Sequence, residues 1–385
     1  MKRIIDFIIR FFAWILLHIL FIFPVDERKI YFRSMLGTRY SCNPKYLYLY
    51  IREKFGDKYK YVWDIKTDVV FDKPVVIINN KLKKIFELMT SKYIIDNVTV
   101  IWWIPLRKSQ IVINTWHGGG AYKHVGSYFA INLNKVKTFQ SKWEGEKVTH
   151  YLSSCRKFTE IQSLSKNVPN QRFINTGLPR NAIFFYPEKI LKLRKKVLDY
   201  FNFSDDTKIL LYAPTYRGDG GFKGKNAERG LCEPNYSLLK ETVGKKHGGQ
   251  WKLLYRGHNY DYNIANKLPD FVVDATKYED MQELLCAADI LLTDYSSSMW
   301  DYALTKKPCL LYAPDIKQYM ENRGFYTDPF SWPFPLAQND TELTYNILNF
   351  DQTAYEKAVD KHFSDLGSYE NKAACQKVLD AIGLC

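Results

Sequence analysis

Short apolar runs recur along this chain, and each stops at a turn carrying Ser, Thr, His, Arg or Gly. Residues 111–113, 173–174, 209–212, 253–255 and 290–292 are such runs. Strands are also predicted over 29–33, 61–65, 75–79, 93–96 and 111–115, with helices over 44–54 and 81–91. A second strand–helix series runs from 208 to 311. Strands that alternate with helical segments indicate a parallel α/β architecture, here in two copies. The basic helical segment 189–200 lies between the two series and reads as their connection.

The polar turns say more than the runs. In a parallel sheet the loops at the carboxyl ends of the strands converge, and ligands bind there. Asn114, Thr115, Trp116 and His117 follow one run, and Gly118, Gly119 and Gly120 come next. Thr215 and Arg217 follow another, and Arg256 and His258 a third. The run 290–292 enters Thr293, Asp294, Tyr295, Ser296, Ser297 and Ser298, and a helical pattern follows over 299–304. A strand that feeds a helix through small hydroxyl residues leaves backbone N–H groups pointing outward, which suits an anion. An ordinary helix cap by Asp294 or a serine is the simpler alternative. Cationic and hydroxyl groups at several strand ends together describe one anionic ligand held by more than one loop.

Residues 1–23 are strongly apolar, with Asp6, Arg10 and His18 on one narrow stripe of a helix that Pro24 ends. No small-residue cleavage site follows Phe23, which argues against a signal peptide. A transmembrane span, a helix lying in the membrane plane and a buried helix remain. The in-plane helix is preferred on topology, since a span preceded only by Lys2 and Arg3 on the cytoplasmic side would export the rest of the chain.

Composition sharpens this picture. A chain of 385 residues suits two domains. The net charge of +14 implies an anionic partner such as acidic lipid, a nucleotide-linked donor or a polyanionic product. Nucleic acid is set aside because no binding signature for it appears. Seven scattered cysteines without a CxxC argue against a disulfide framework or a zinc site. The aromatic share of 16% suits work at a membrane or on a glycan.

The blocks WHGGGAYK, NTGLPRN, LYAPTYR, LLYRGH and ADILLTDYSSSMWDYALTKKPCLLYAPD, in this order, resemble those of the CDP-glycerol glycerophosphotransferase family. The resemblance spans about residues 28–375. It implies a GT-B-like fold, with two Rossmann-like domains facing a central cleft, to which the apolar stretch 1–23 adds an N-terminal membrane-associating helix. The expected domains are the helix at 1–24, an acceptor domain at 25–190 and a nucleotide-donor domain at 191–385. Four positions depart from the family pattern: Gly119 and Gly120 stand where Thr-Pro is common, Asn259 where Pro is common, and Ala182 where an acid is common.

The resemblance further implies transfer of glycerol phosphate or a related polyol phosphate from CDP-glycerol or CDP-ribitol. The acceptor is a hydroxyl of a lipid-linked or polysaccharide chain, and CMP leaves. The setting is teichoic acid or capsule synthesis at the cytoplasmic face of the bacterial membrane, where the anionic surface is a partner and attachment is peripheral or monotopic. His117 is the expected base, beside glycines that let backbone approach a phosphate. His258 is the second expected catalytic residue, donating to the oxygen that bridges the two phosphates or neutralising charge there. Arg256 is expected to bind the diphosphate as a fork, with Arg217, Thr215, Thr293, Ser296, Ser297 and Ser298. Asp301 either accepts from ribose hydroxyls or serves as a solvated or capping group. Gly118, Gly119, Gly120, Lys123 and Arg180 are expected on the acceptor side. The Gly-rich segment 218–232 is either a closing loop or an uninvolved surface loop. No cofactor or resident metal is required, and the donor diphosphate can bring Mg²⁺. Two other functions fit less well: a GT-B glycosyltransferase that uses a nucleotide sugar, and a non-catalytic membrane-bound anion- or glycan-binding protein.

Overall fold

A computed structural model describes residues 2–66, 69–78, 80–99, 101–125, 135–215, 233–257 and 268–385. The chain divides into two units. Unit 1 holds Met1–His117, Val125–Ala182 and Tyr369–Cys385; unit 2 holds Gly118–His124 and Ile183–Ser368.

Unit 1 is built on a parallel sheet of seven strands: β1 (Asp26–Arg33), β2 (Lys60–Asp64), β3 (Val76–Ile78), β4 (Ser91–Asp96), β5 (Ile111–Asn114), β6 (His150–Leu152) and β7 (Phe173–Ile174). Their order is β3-β2-β1-β4-β5-β6-β7. Alternation along each strand sends side chains to opposite faces, and both faces are covered. Ile30 and Phe32 of β1 join Trp63, Ile95 and Ile113 under the helix Cys42–Phe55. Tyr31 joins Val62, Ile94 and Val112 on the other face, against Leu88 and Met89 of the helix Lys81–Thr90. That helix starts where Asn80 accepts a hydrogen bond from the Lys83 N–H at 2.8 Å.

Unit 2 repeats the plan with β8 (Lys208–Tyr212), β9 (Trp251–Tyr255), β10 (Val272–Asp274), β11 (Ile290–Thr293), β12 (Cys309–Tyr312) and β13 (Leu336–Ala337). The order is β10-β9-β8-β11-β12-β13, again all parallel. Leu210, Leu253, Leu292 and Leu310 pack beneath Leu239 and Val243 of the helix Tyr236–His247. In both units the strand order reverses beside the first strand, between β1 and β4 and between β8 and β11. At such a switch point the flanking loops diverge and leave a crevice at the carboxyl ends.

The sequence-based boundaries need three corrections. Residues 369–385 were expected in the second domain, yet Cys375, Val378, Leu379, Ile382 and Leu384 lie in the core of unit 1. Their apolar face has its cover there, a pairing across more than three hundred residues that no local pattern reveals. The helix Pro187–Tyr200 belongs to unit 2 and is not a connector. Its Arg194 donates to the Ala287 and Thr207 carbonyl oxygens and pairs with Asp289 at 3.1 Å. The segment Gly118–His124 belongs to unit 2 although His117 belongs to unit 1.

The N-terminal helix Lys2–Leu17 continues as a 3-10 turn, His18–Ile22. One face meets unit 1. Phe7 stacks on Trp102 at 5.1 Å between ring centroids, Trp14 meets Trp143 at 5.1 Å, and Leu17, Leu20 and Phe21 reach the core. Arg10 pairs with Asp6 at 2.9 Å, and His18 Nδ1 lies 2.8 Å from the Trp14 carbonyl oxygen. The opposite face exposes Ile9, Phe12, Leu16, Ile19 and Ile22.

Candidate active site

In unit 1 the switch point is closed by a buried ion pair. Arg33, at the end of β1, donates through Nε to Asp96, at the end of β4. The same carboxylate accepts from the N–H groups of Val98, at 2.7 Å, and Thr99, at 3.1 Å. This folds the loop after β4 so that Asn97 points its carbonyl oxygen at His117. His117 Nδ1 lies 2.7 Å from that oxygen. A carbonyl only accepts, so Nδ1 carries the proton, and in the neutral ring the lone pair is on Nε2. The geometry therefore fixes the tautomer that a proton-accepting histidine needs.

The backbone at His117 is forced into place. Trp116 has φ of 52°, a left-handed conformation that costs an aromatic residue about 1–3 kcal/mol. Asn43, buried at the start of the helix Cys42–Phe55, holds it by donating to the carbonyl oxygens of Thr115 and Trp116 at 3.0 and 3.1 Å. The indole and imidazole centroids are 4.3 Å apart, and Lys166 Nζ sits 4.2 Å from the indole centroid. Burial pulls the Lys166 ammonium down to about 8. Arg180 braces the same turn. Its buried guanidinium donates to the His117 carbonyl oxygen at 2.8 Å and to Cys42 Sγ at 3.0 Å. The Arg180 loop is itself tied by Glu370, which accepts from Leu178 N–H and the Asn181 amide. Arg180 was expected to face the acceptor; the structure makes it a support for His117.

In unit 2 the switch point is held by Asp294. Its carboxylate accepts from Thr215 N–H at 2.9 and 3.0 Å, from Thr215 Oγ1 at 2.6 Å and from Tyr295 N–H. Thr215 thus joins the loop after β8 to the loop after β11, with its hydroxyl proton given to Asp294. Thr293 is fully buried and donates to the Ala213 carbonyl oxygen at 2.7 Å. Asp301 is buried too, and accepts from Gln282 at 2.9 Å, so its side chain is a core contact. These three expected ligand groups are braces, because a polar side chain at a strand end can bond to neighbouring backbone as readily as to a ligand.

Ser296 and Ser297 are half-buried at the turn that enters the helix Ser298–Ala303. Ser296 Oγ accepts from Ser298 Oγ at 3.0 Å, and the cap residue Ser297 makes no side-chain cap bond. That helix has only six residues. Any anion affinity there comes from the turn's N–H and hydroxyl groups more than from a macrodipole. Arg256 leaves the end of β9 half-buried and donates to the Tyr278 carbonyl oxygen at 2.9 Å. Arg217, His258, Asn259 and the loop 218–232 lie outside the described residues.

Gly119 and Gly120 serve a different purpose from the expected one. A Cβ on Gly119 would meet Trp300 Cδ1 at 2.0 Å; one on Gly120 would meet Tyr122 at 2.5 Å and Trp300 at 2.9 Å. The missing side chains let this strand of backbone lie on the indole of Trp300, all within unit 2. Gly118 is buried in the same segment, and Lys123 forms a bridge with Phe325. Tyr122 OH lies 3.0 Å from His362 Nε2. Burial pulls His362 down to about 4. Its ordinary value is near 6.5, so between the two values the unfolded chain binds a proton that the folded chain does not. Stability from this group is intact above pH 6.5 and lost as the pH falls toward 4, by about 3 kcal/mol at the limit. His362→Gln should flatten that slope in melting curves taken from pH 7 to 4. An unchanged slope would show that His362 does not set it.

Among the described residues, no three His, Cys, Asp or Glu side chains converge as a metal site. Sequence reasoning missed Asn43, Asn97 and Glu370, and it gave Asp294 only a capping role. Asn43 had one local signal, an Asn-Pro pair at a predicted helix start. Asn97 acts through its backbone, and Glu370 lies far away in sequence.

A family model described as CDP-Glycerol:Poly(glycerophosphate) glycerophosphotransferase matches residues 15–384. The teichoic acid poly(glycerol phosphate) polymerase of Bacillus spizizenii is 31% identical over 331 residues, covering 82% of this chain and 81% of that protein. The teichoic acid glycerol-phosphate transferase of Staphylococcus aureus is 26% identical and is covered to 93%, as is this chain. This chain spans only about half the length of the poly(glycerol phosphate) polymerases of Staphylococcus epidermidis and Bacillus subtilis, 51% and 49%. Among solved structures, a variant of the wall teichoic acid polymerase TagF soaked with CDPG superposes with a TM-score of 0.79 at 26% identity. That match covers 93% of this chain and 89% of the TagF chain.

Proposed function

The chain belongs to the CDP-glycerol:poly(glycerophosphate) glycerophosphotransferase family, and from that premise we propose that it transfers glycerol phosphate, or ribitol phosphate, from a CDP-linked donor to a hydroxyl of a lipid-linked or glycan acceptor. Polyol-phosphate transfer in teichoic acid synthesis is the family's reaction. The acceptor oxygen attacks the phosphorus that bears the polyol, a new P–O bond forms, and the bond from that phosphorus to the bridging oxygen of CMP breaks. The acceptor's proton passes to His117 Nε2. The observation that carries this assignment is the 2.7 Å contact of Nδ1 with the Asn97 carbonyl oxygen, which leaves Nε2 as the basic nitrogen.

Ser296, Ser297 and Arg256 hold the donor diphosphate in this reading, and Arg217 and His258 are assigned to it from the sequence alone. Thr215 and Asp294 keep those loops in place. The doubly wound order of each sheet supports a Rossmann-like reading of both units, with the nucleotide assigned to unit 2. No resident cofactor is assigned, and Mg²⁺ enters only with the donor diphosphate. The test is to incubate purified protein and a lipid-linked acceptor with CDP-glycerol, CDP-ribitol or UDP-sugars. CMP release with one CDP-polyol is expected; UDP release alone would replace this reading with glycosyl transfer.

The same proposal places the enzyme on the cytoplasmic face of the membrane, held in-plane by its N-terminal helix. The stretch Ile5–Ile22 has a mean hydropathy of 2.2, and its outward face is apolar while its inward face packs on unit 1. An in-plane anchor has this division. Leu16 and Ile19 are 72% and 71% exposed. Changing both to Glu removes roughly 3 kcal/mol or more of apolar burial in lipid, about a hundredfold in partition. Co-sedimentation with anionic vesicles should fall accordingly, while CMP release on a soluble acceptor persists. Undiminished co-sedimentation would remove the helix as the anchor. Deleting the segment is a poorer test, because it would uncover Trp102 and Trp143.

A further inference from the structure

We propose a second binding site on unit 2, remote from the chemistry, that takes a short stretch of phosphodiester-linked polyol chain. It rests on the transfer reaction above for the identity of that chain.

The starting point is Gly244, inside the helix Tyr236–His247. Glycine in a helix interior costs about 0.8–1 kcal/mol relative to alanine, so a packing reason is expected. Gly145, in the helix Lys135–Lys147, has one: a Cβ there would strike the Asn167 carbonyl oxygen at 2.6 Å. Gly244 has none, since a Cβ there meets nothing within 4 Å. The space beside it is a surface cavity of about 400 Å³, and Gly244 forms part of its wall.

The other walls define a ligand class. Trp251 and Phe271 supply aromatic surface, which suits the C–H faces of a polyol. Ser237 and Glu241 supply a hydroxyl and a carboxylate, which bond hydroxyl groups. Lys240 lines the cavity with its Nζ 5.0 Å from the Phe271 ring centroid, and its charge suits a phosphate. Lys245 adds positive charge in the next turn of the helix, whereas Lys246 turns to the Leu348 carbonyl oxygen at 2.8 Å. Inorganic phosphate would leave the aromatic surface unused, and a neutral glycan would leave the lysines unused. A chain that alternates polyol and phosphate uses both.

The site lies at the far end of the sheet from the candidate active site. Trp251 opens β9 opposite Lys208 at the start of β8. Thr215 and Arg256 follow the carboxyl ends of those two strands. The separation along the strands is roughly 15 Å. A chain held here is kept near the enzyme between additions without occupying the reaction centre.

The test uses the full chain with synthetic glycerol-phosphate hexamer as probe and 5-fluorotryptophan in place of Trp. The Trp251 resonance is assigned with Trp251→Phe. In the otherwise unsubstituted protein, hexamer should shift that resonance saturably, and maltohexaose should not. Gly244→Leu fills the cavity from a helical position with open space around it, so melting temperature should hold or rise. Affinity read at Trp251 should fall at least tenfold in Gly244→Leu and in Lys240→Glu, with CMP release on a short acceptor unchanged. Equal hexamer affinity in all three proteins overturns the site. Maltohexaose binding as well as hexamer overturns the ligand class. The titration contains no CDP donor, so a hexamer response without any CMP release would defeat the transfer reading and leave the site standing.

Discussion

Replacing His117 with Ala should lower kcat by about 10²–10⁴-fold, the range expected for loss of a general base, with little change in the affinity for CDP-polyol. The asymmetry follows from placement. His117 stands at the end of β5 in unit 1, and the groups assigned to the diphosphate stand in unit 2. His117→Asn gives the sharper comparison. Its amide nitrogen falls near the position of Nδ1, so it can still donate to the Asn97 carbonyl oxygen, 2.7 Å away in the native contact. The turn stays braced, yet no group remains to take the acceptor's proton. Asn should therefore match Ala in turnover and match the native protein in stability. Steady-state CMP release with calorimetric titration of donor separates these effects. Donor binding that vanishes with His117→Ala would move this residue to the diphosphate. Normal turnover in both variants would remove it from the chemistry.

The pattern of the chain carried the strands well, because each is a short apolar run whose alternate residues face two covered sides. Ile30 and Phe32 against Tyr31 show that arrangement within one strand. It located His117, Ser296 and Arg256 at carboxyl ends for the same reason. What it did not carry was direction. Thr215, Thr293, Arg180 and Asp301 sit where ligand groups sit, but each turns to a neighbouring backbone or side chain. Position along a strand is local information; the partner that a side chain finds is not. Gly119 and Gly120 make the same point. Three glycines after a histidine signal a close approach, and the body approached is Trp300. Glu370 was beyond reach because its role depends on the last segment of the chain returning to unit 1.

The second large effect is expected from Asp96→Ala, a loss of about 3–5 kcal/mol, as for breaking one half of a buried ion pair. The Arg33 and Asp96 side chains are only 5% and 2% exposed. Removing the carboxylate leaves a guanidinium in the interior and takes the acceptor from two N–H groups, those of Val98 and Thr99. Two substitutions separate those contributions. Asp96→Asn keeps an acceptor for the N–H groups but leaves the charge of Arg33 unpaired. Arg33→Met combined with Asp96→Asn keeps the acceptor and removes both charges, and should recover most of the loss. Unit 1 and unit 2 need not unfold together, so the measurement is hydrogen exchange at the amides of β1, β4 and β5 under increasing denaturant. Activity gives an independent reading. The loop that Asp96 folds also aims the Asn97 carbonyl oxygen at His117, so the recovered double variant should keep turnover and Asp96→Ala should lose it even at a temperature where it remains folded. A cost of 1 kcal/mol or less in Asp96→Ala would mean that the pair does not hold the switch point, and the tautomer of His117 would then need another support.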